Sequence, residues 1–191
     1  MPLVSTKRCF DIGLCIPCIL LFALPCLLIA LLIKTTSKGP ALYWSERVGR
    51  NNCIFRMPKF RSMRLSTPTV ATHLLENPTK FLTPIGGFLR KSSLDELPQL
   101  WNIALGEMSF VGPRPALFNQ YDLIALRTEK NVHKLLPGLT GWAQINGRDD
   151  LPIPVKVALD TDYLKKQTMG FDLKIIFLTF FRVIFQNNVK H

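Results

Sequence analysis

Cysteine is nearly absent from most of this chain. Of five cysteines, Cys9, Cys15, Cys18 and Cys26 sit near the start, and only Cys53 lies beyond them. A disulfide framework for the larger part is thereby excluded, as expected of a domain in reducing cytosol. Cys15 and Cys18 form a C-x-x-C, but inside apolar sequence and with no second ligand pair. They read as small hydrophobes rather than a metal or redox centre. The three histidines, His73, His133 and His191, show no ligand spacing. Internal repeats are missing, as is the βα alternation of a nucleotide-binding domain. Neither zinc-finger spacing nor a basic helix interleaved with aromatics is present, which argues against a nucleic-acid partner. Acidic residues are scarce: 13 Asp+Glu stand against 24 Lys+Arg, a formal net charge of +11. Anionic lipid headgroups and phosphorylated substrates are the partners such an excess attracts.

Charge is wholly lacking from residues 12–33 (IGLCIPCILLFALPCLLIALLI). As one helix this run reaches roughly 30 Å, about the hydrocarbon thickness of a bilayer. Lys7 and Arg8 precede it; Lys34, Lys38, Arg47 and Arg50 come after. The positive-inside rule then puts both ends on the cytoplasmic side, which a single straight pass cannot do. Pro25, near the middle, removes a backbone donor and clashes with the carbonyl four residues earlier, so a bend is expected there. Two readings stand at this point: a re-entrant anchor that enters and leaves by one face, and a kinked transmembrane helix. A cleaved signal peptide is disfavoured, because no small-x-small site follows before KTTSKGP.

The remaining chain is long enough for one compact domain. Residues 35–40 read as a turn, 41–45 as a short strand, 46–52 as a tight basic turn and 53–63 as a strand or extended edge. A short helix is expected over 70–76. Beyond 86–91, the segment SSLDELPQLWNIALGEMS has helical apolar spacing at Leu94, Leu97, Leu100, Trp101, Ala104 and Leu105. FVGPRP (110–115) is a rigid loop. Helices are expected within 116–136, over 154–166 and over 171–185, with a turn-rich stretch at 136–146. The last helix reads either as core on one side and membrane interface on the other, or as a buried core helix. The fold class is helix-rich α with little β, divided at residues 1–36 and 37–191.

Asp95 and Glu96 are adjacent acids in a patch otherwise lined by Arg90, Lys91 and Arg114. Ser93 with Glu96, or Ser92 with Asp95, has the spacing of a capping box, and either register puts both carboxylates in a first turn. They could simply cap a helix. Alternatively, one carboxylate attacks an electrophile and its neighbour binds a divalent metal beside a phosphate, since successive helical side chains diverge by about 100°. Arg114 lies between two prolines that stiffen its loop, which suits a preorganised phosphate clamp. Arg148 in NGRDD is a weaker candidate, and Lys59 and Arg61 in PKFRSM could turn toward the same site.

The segments KRCFDIGL, ALYWSERVGRNN, FRMPKFRSM, LTPIGGFLRKSSLDELPQLWNIALGEMSFVGPRP, LLPGLTGWAQINGR and FDLKIIFLT occur in this order along almost the whole chain. Together they resemble the bacterial sugar transferases that are monotopic polyprenyl-phosphate phosphoglycosyl transferases, whose small forms consist of little more than this unit. The resemblance implies a re-entrant membrane helix broken at Pro25, although Leu24 stands where some members have serine. It also implies a compact catalytic domain with amphipathic interfacial helices, on the cytoplasmic face of the bacterial inner membrane. Asp95 would be the nucleophile toward a UDP-sugar and Glu96 a Mg²⁺ ligand. Arg90, Arg114, Lys59 and Arg148 would serve the substrate phosphates. UMP would leave, and undecaprenyl phosphate would receive the sugar phosphate from a covalent aspartyl intermediate. An N-acetylated amino or deoxyamino sugar is the expected donor. Anionic membrane lipids and downstream glycosyltransferases are the further partners implied, with room for a homodimer. The rival readings are a UDP-releasing glycosyltransferase and a non-catalytic membrane scaffold of polysaccharide assembly.

Overall fold

The apolar run lies within one helix, α1 (Pro2–Thr36), which continues through Pro17 and Pro25 without leaving the helical conformation. The chain is represented by a computed structural model that describes residues 2–68, 77–147 and 151–185. Along α1 one stripe faces the rest of the protein. Asp11, Cys15, Ile29 and Ile33 are buried on it, and Cys18, Phe22 and Cys26 are half-buried. The other face exposes Leu20, Leu21, Leu24, Leu27, Leu28 and Leu31. A surface helix in water carries polar residues on its outer face; an apolar one needs a different medium. The segment Thr6–Thr36 is long and apolar enough to cross a membrane, consistent with membrane association.

Pro25 falls where the helix passes from one core to another. Leu14, Cys15, Cys18 and Phe22 join a cluster built on Leu100, Ile103, Met108 and Ile175. Cys26, Ile29, Ala30 and Ile33 join a second cluster with Phe60 and Leu89. A proline inside a helix costs one hydrogen bond and strains the preceding turn. Side-chain contacts on both flanks explain why the helix persists across it.

The basic flank before the apolar run is not a solvated one. The Lys7 ammonium pairs with the buried Asp172 carboxylate, whose other oxygen accepts the Tyr163 hydroxyl at 2.7 Å. Arg8 donates to the Ile103 and Ala104 carbonyls at the end of a later helix. Asp11 accepts the Ser109 hydroxyl at 3.0 Å and the Phe110 N–H at 3.1 Å. These contacts bind the first three turns of α1 to the body of the domain.

After the turn that ends α1, β1 (Leu42–Val48) and β2 (Ile54–Phe60) form an antiparallel hairpin in register from Leu42↔Phe60 to Val48↔Ile54. The strand therefore runs three residues into the segment read from sequence as a turn. Glu46 stands opposite Arg56 and Arg47 opposite Phe55 in the register, so charges that suggested a turn occupy strand positions. The turn itself is Gly49–Cys53, with Asn51 and Asn52 at positive φ. Helix α2 (Gly86–Lys91) is followed by a 3-10 helix at Leu94–Gln99 and by α3 (Leu100–Leu105), which ends at Gly106 with φ +85°. Strands β3 (Ser109–Val111) and β4 (Ala116–Leu117) flank the GPRP loop, and β4 extends the hairpin to a sheet of order β2-β1-β4. Helix α4 (Tyr121–Glu129) precedes β5 (Gly138–Thr140), which pairs in parallel with β3. Then come α5 (Trp142–Ile145), α6 (Ile153–Lys166) and α7 (Met169–Phe185). The fold is helix-rich with two small sheets. The short helix expected at 70–76 lies outside the described residues.

The β3–β5 pair is closely spaced because its glycines leave room. A Cβ on Gly112 would sit 2.3 Å from the Leu136 carbonyl oxygen, on Gly138 2.1 Å from the Gly112 nitrogen, and on Gly141 2.1 Å from the Gly112 oxygen. Helix α7 buries Asp172 and Ile175 and exposes Leu173, Phe177, Phe180 and Phe181.

Truncating Asp172→Ala leaves the part-buried Lys7 ammonium unpaired, and removing one partner of such a pair costs about 3–5 kcal/mol. Thermal unfolding in detergent should show a large drop in Tm for this variant, and a small change for Glu129→Ala, whose partner Lys130 is exposed. Equal behaviour of the two would refute the anchoring role.

A candidate active site at the Asp95–Glu96 pair

Helix α2 stops at Ser92, and Ser93 turns the chain with φ +57°, a left-handed conformation. No serine side chain caps the next turn: the Ser92 hydroxyl donates back to the Phe88 and Leu89 carbonyls, and Ser93 makes no cap. The capping-box reading is therefore corrected. The Glu96 carboxylate is drawn away by distant cations instead of reaching back to the backbone. Leu94–Gln99 is a 3-10 helix, in which three residues complete a turn and neighbouring side chains diverge by about 120°. Pro98 lies inside it, and the regular helix starts only at Leu100, so both acids precede α3.

Glu96 is the electrostatic centre. Its Oε1 accepts Lys59 Nζ at 2.7 Å and Arg114 Nη2 at 3.1 Å. Lys59 comes from β2, packed along the 3-10 helix, and Arg114 from the GPRP loop between β3 and β4. Burial alone would raise the Glu96 carboxyl, but the Lys59 and Arg114 charges outweigh it and hold it well below the usual carboxylate range. Burial pushes the Lys59 ammonium down, against the pull of Glu96. With two cations on one oxygen, ionised Glu96 is the firm member of the group.

Asp95 differs. It is 8 % exposed, and among the described residues no hydrogen bond reaches its carboxylate. Burial pushes its carboxyl up, with Glu96 adding to the rise and Lys59, Arg90 and Arg114 opposing it. One carboxylate thus has one oxygen committed to Lys59 and Arg114, while the other lies among cations with no hydrogen bond among the described residues. Arg90, from the end of α2, takes part in the field on Asp95, and its Nη1 lies 3.1 Å from the Met63 sulfur.

Lys59, Arg90, Asp95, Glu96 and Arg114 therefore converge. Arg61 does not join them. It is buried and donates to the Ser37 and Lys38 carbonyls and the Ser37 hydroxyl, because the end of α1 presents unpaired carbonyls that a guanidinium can satisfy. Arg148 lies outside the described residues. Arg47, read from sequence only as a flanking cation, stands on the same face of the hairpin as Lys59 and adds positive charge to its surroundings. The alternation of β1 and β2 was the signal that could have found it. Among the described residues no group of three or more His, Cys, Asp or Glu side chains could form an all-protein metal cage. Asp95 and Glu96 are the carboxylates at hand for any cation.

Residues 3–186 match the bacterial sugar transferase family. The chain belongs to it. The chain is 41 % identical, over 95 % of its length, to an undecaprenyl-phosphate glucose phosphotransferase of Komagataeibacter xylinus, of which the match covers 36 %. It is 39 % identical, over 92 % of its length, to the UDP-glucose:undecaprenyl-phosphate glucose-1-phosphate transferase of Escherichia coli K12, covering 39 % of that protein. The exopolysaccharide production protein ExoY of Rhizobium meliloti is 38 % identical over 91 % of this chain and 83 % of its own length. The chain thus spans well under half of the first two bacterial sugar transferases and most of the third.

The raised carboxyl of Asp95 has a measurable sign. Above its folded-state titration the buried site holds a charge that burial disfavours, so its contribution to stability falls as pH rises through that range. Asp95→Asn should therefore melt higher than the parent at neutral pH, and the gap should close as pH is lowered until Asp95 is protonated. A gap that is absent or independent of pH rejects this account. Glu96→Gln, which leaves Lys59 and Arg114 facing each other without their shared anion, should melt lower.

Proposed function

We propose that this protein transfers a sugar-1-phosphate from a UDP-sugar to undecaprenyl phosphate, giving undecaprenyl-diphosphate-sugar and UMP. The observation that carries this reading is the buried Asp95 carboxylate, without a hydrogen bond among the described residues and ringed by Lys59, Arg90 and Arg114. The names of relatives, one of which states glucose-1-phosphate transfer to undecaprenyl phosphate, support it. In the first half-reaction an Asp95 oxygen attacks the phosphorus that bears the sugar. The bond from that phosphorus to the bridging oxygen breaks, UMP departs, and an aspartyl phosphosugar remains. In the second, an oxygen of undecaprenyl phosphate attacks the same phosphorus and Asp95 leaves as a carboxylate. Two displacements replace one difficult exchange.

Arg114 and Arg90 bind the phosphate oxygens, with Arg148 a further binder, and neutralise charge as it develops. Lys59 holds Glu96 in place. Two adjacent carboxylates suit Mg²⁺, which takes one or two protein carboxylates together with substrate phosphates and water. Glu96 would be its ligand, beside Asp95. Bound there, Mg²⁺ would polarise the phosphate oxygens.

The lipid acceptor keeps its head at the bilayer surface, so the acidic pair has to lie in that plane. In our reading α1 is a re-entrant anchor bent at Pro25, entering and leaving on the cytoplasmic face of the inner membrane. Both of its halves rest against the same domain. The exposed phenylalanines of α7 lie at the interface, and the basic excess draws the domain to anionic lipids. Downstream glycosyltransferases consume the product, and a homodimer fits this geometry. Glucose and galactose, named in relatives, join the N-acetylated sugars as donors to test.

Purified protein in lipid discs with Mg²⁺ and undecaprenyl phosphate should release UMP from one or more UDP-sugars. Asp95→Asn should lower that release by about 10³-fold or more while remaining folded. The donor half-reaction should also fall on the acid side as Asp95 takes up a proton, with a midpoint above the ordinary aspartate value of 3.8. Release of UDP instead points to a conventional glycosyltransferase. Neither nucleotide, from folded protein and a full donor panel, returns the scaffold reading.

A further inference from the structure

Arg114 can clamp a phosphate only while the loop that carries it is held. Pro113 and Pro115 have no N–H to place in a strand ladder. Pro113 and Pro115 are buried, and beside them opens only a small cleft of about 30 Å³ lined by Val48, Pro113, Pro115 and His133. The course of the loop is set further by its carbonyls. Pro113 O accepts Gly138 N–H at 2.9 Å, Arg114 O accepts Arg127 Nη1 at 2.8 Å, and Pro115 O accepts Arg47 Nη1 at 3.1 Å. Three consecutive acceptors are thus met from β5, α4 and β1.

Arg127 is the most constrained of these donors. Its Nε and Nη2 both bond Asp160 Oδ2, at 3.0 and 2.7 Å, and Asp160 on α6 is 1 % exposed while Arg127 is 8 % exposed. A buried ion pair is weak evidence for stability, since apolar residues of similar volume often serve as well. Direction is what this pair supplies. A guanidinium is a rigid planar fork, and with Nε and Nη2 fixed on Asp160 its plane is set, which aims Nη1 at the Arg114 carbonyl. A lysine has no such fork.

We infer that Arg127, locked by Asp160, is a positioning residue for the Arg114 phosphate clamp, with Arg47 its counterpart on the next carbonyl. This rests on the proposed function in one respect, that Arg114 binds the donor phosphate. The test uses the full chain in lipid discs, with Arg127→Lys and Asp160→Asn made singly and each combined with Arg114→Lys. Three readouts are needed: thermal unfolding, amide exchange of the loop at Arg114 and Ala116, and donor kcat/KM from UMP release. Arg127→Lys should fold, speed loop exchange and lower donor kcat/KM by about a hundredfold, the cost of a misplaced contact near the chemistry. Asp160→Asn, which keeps an acceptor for the fork, should do less of both. Added to Arg114→Lys, neither change should lower kcat/KM further, because both act through Arg114.

Unchanged loop exchange in folded Arg127→Lys overturns the inference, as does a double variant whose loss equals the product of the single losses. Should Arg127→Lys fail to fold, Asp160→Asn carries the same cycle and decides by the same two criteria. If the parent releases UMP from no donor, the proposed function falls, and the exchange comparison still decides the positioning role.

Discussion

One oxygen of Glu96 shared by Lys59 and Arg114 is the interaction on which the site depends. It ties together three pieces of chain: the second strand of the hairpin, a 3-10 helix and a proline-stiffened loop. Each of the two cations alone would face the other's charge; with Glu96 ionised between them they become a fixed positive wall. Asp95 inherits its surroundings from that arrangement. Its carboxylate is buried, and among the described residues no hydrogen bond reaches it. A burial penalty that would be a defect in a structural residue suits the reacting group proposed for Asp95.

The same economy governs the membrane helix. Lys7, Arg8 and Asp11 make internal bonds to α7, to the end of α3 and to the start of β3. At the far end, Arg61 satisfies the carbonyls just beyond the helix. The apolar helix is therefore joined to the domain by polar contacts at both termini and by two separate cores between them. Whatever medium covers its apolar face, the helix cannot shift without moving the domain that carries the acidic pair.

Much of this was legible in the sequence, and the exceptions share a cause. The long helices α6 and α7 follow their apolar periodicity, and the scarcity of acids drew attention to Asp95 and Glu96 before any geometry was known. Strand β1 was read too short because Glu46 and Arg47 look like turn residues until their cross-strand partners are seen. Strands β3 and β5 are too brief to show a period. Ser93 matched a capping pattern, but its left-handed backbone and the distant cations on Glu96 override local spacing. Arg47, Arg127 and Asp160 escaped because a charge is taken as solvated by default, and Arg61, expected near the site, is bonded to the Ser37 and Lys38 carbonyls; only tertiary structure shows what each is bonded to.

Gly112, Gly138 and Gly141 separate two stretches of sequence that otherwise look like independent signatures, GPRP and PGLTGW. The Gly112 backbone lies 2.1 Å from where a Cβ on Gly138 or Gly141 would stand, and the Leu136 oxygen and Gly138 nitrogen lie 2.3 and 2.9 Å from one on Gly112. The three are thus a single steric contract. A methyl group at any of them meets backbone rather than a side chain that could turn aside. Drift is closed to each of these positions by the presence of the other two, and the entrance to the Arg114 loop is fixed by what is missing there.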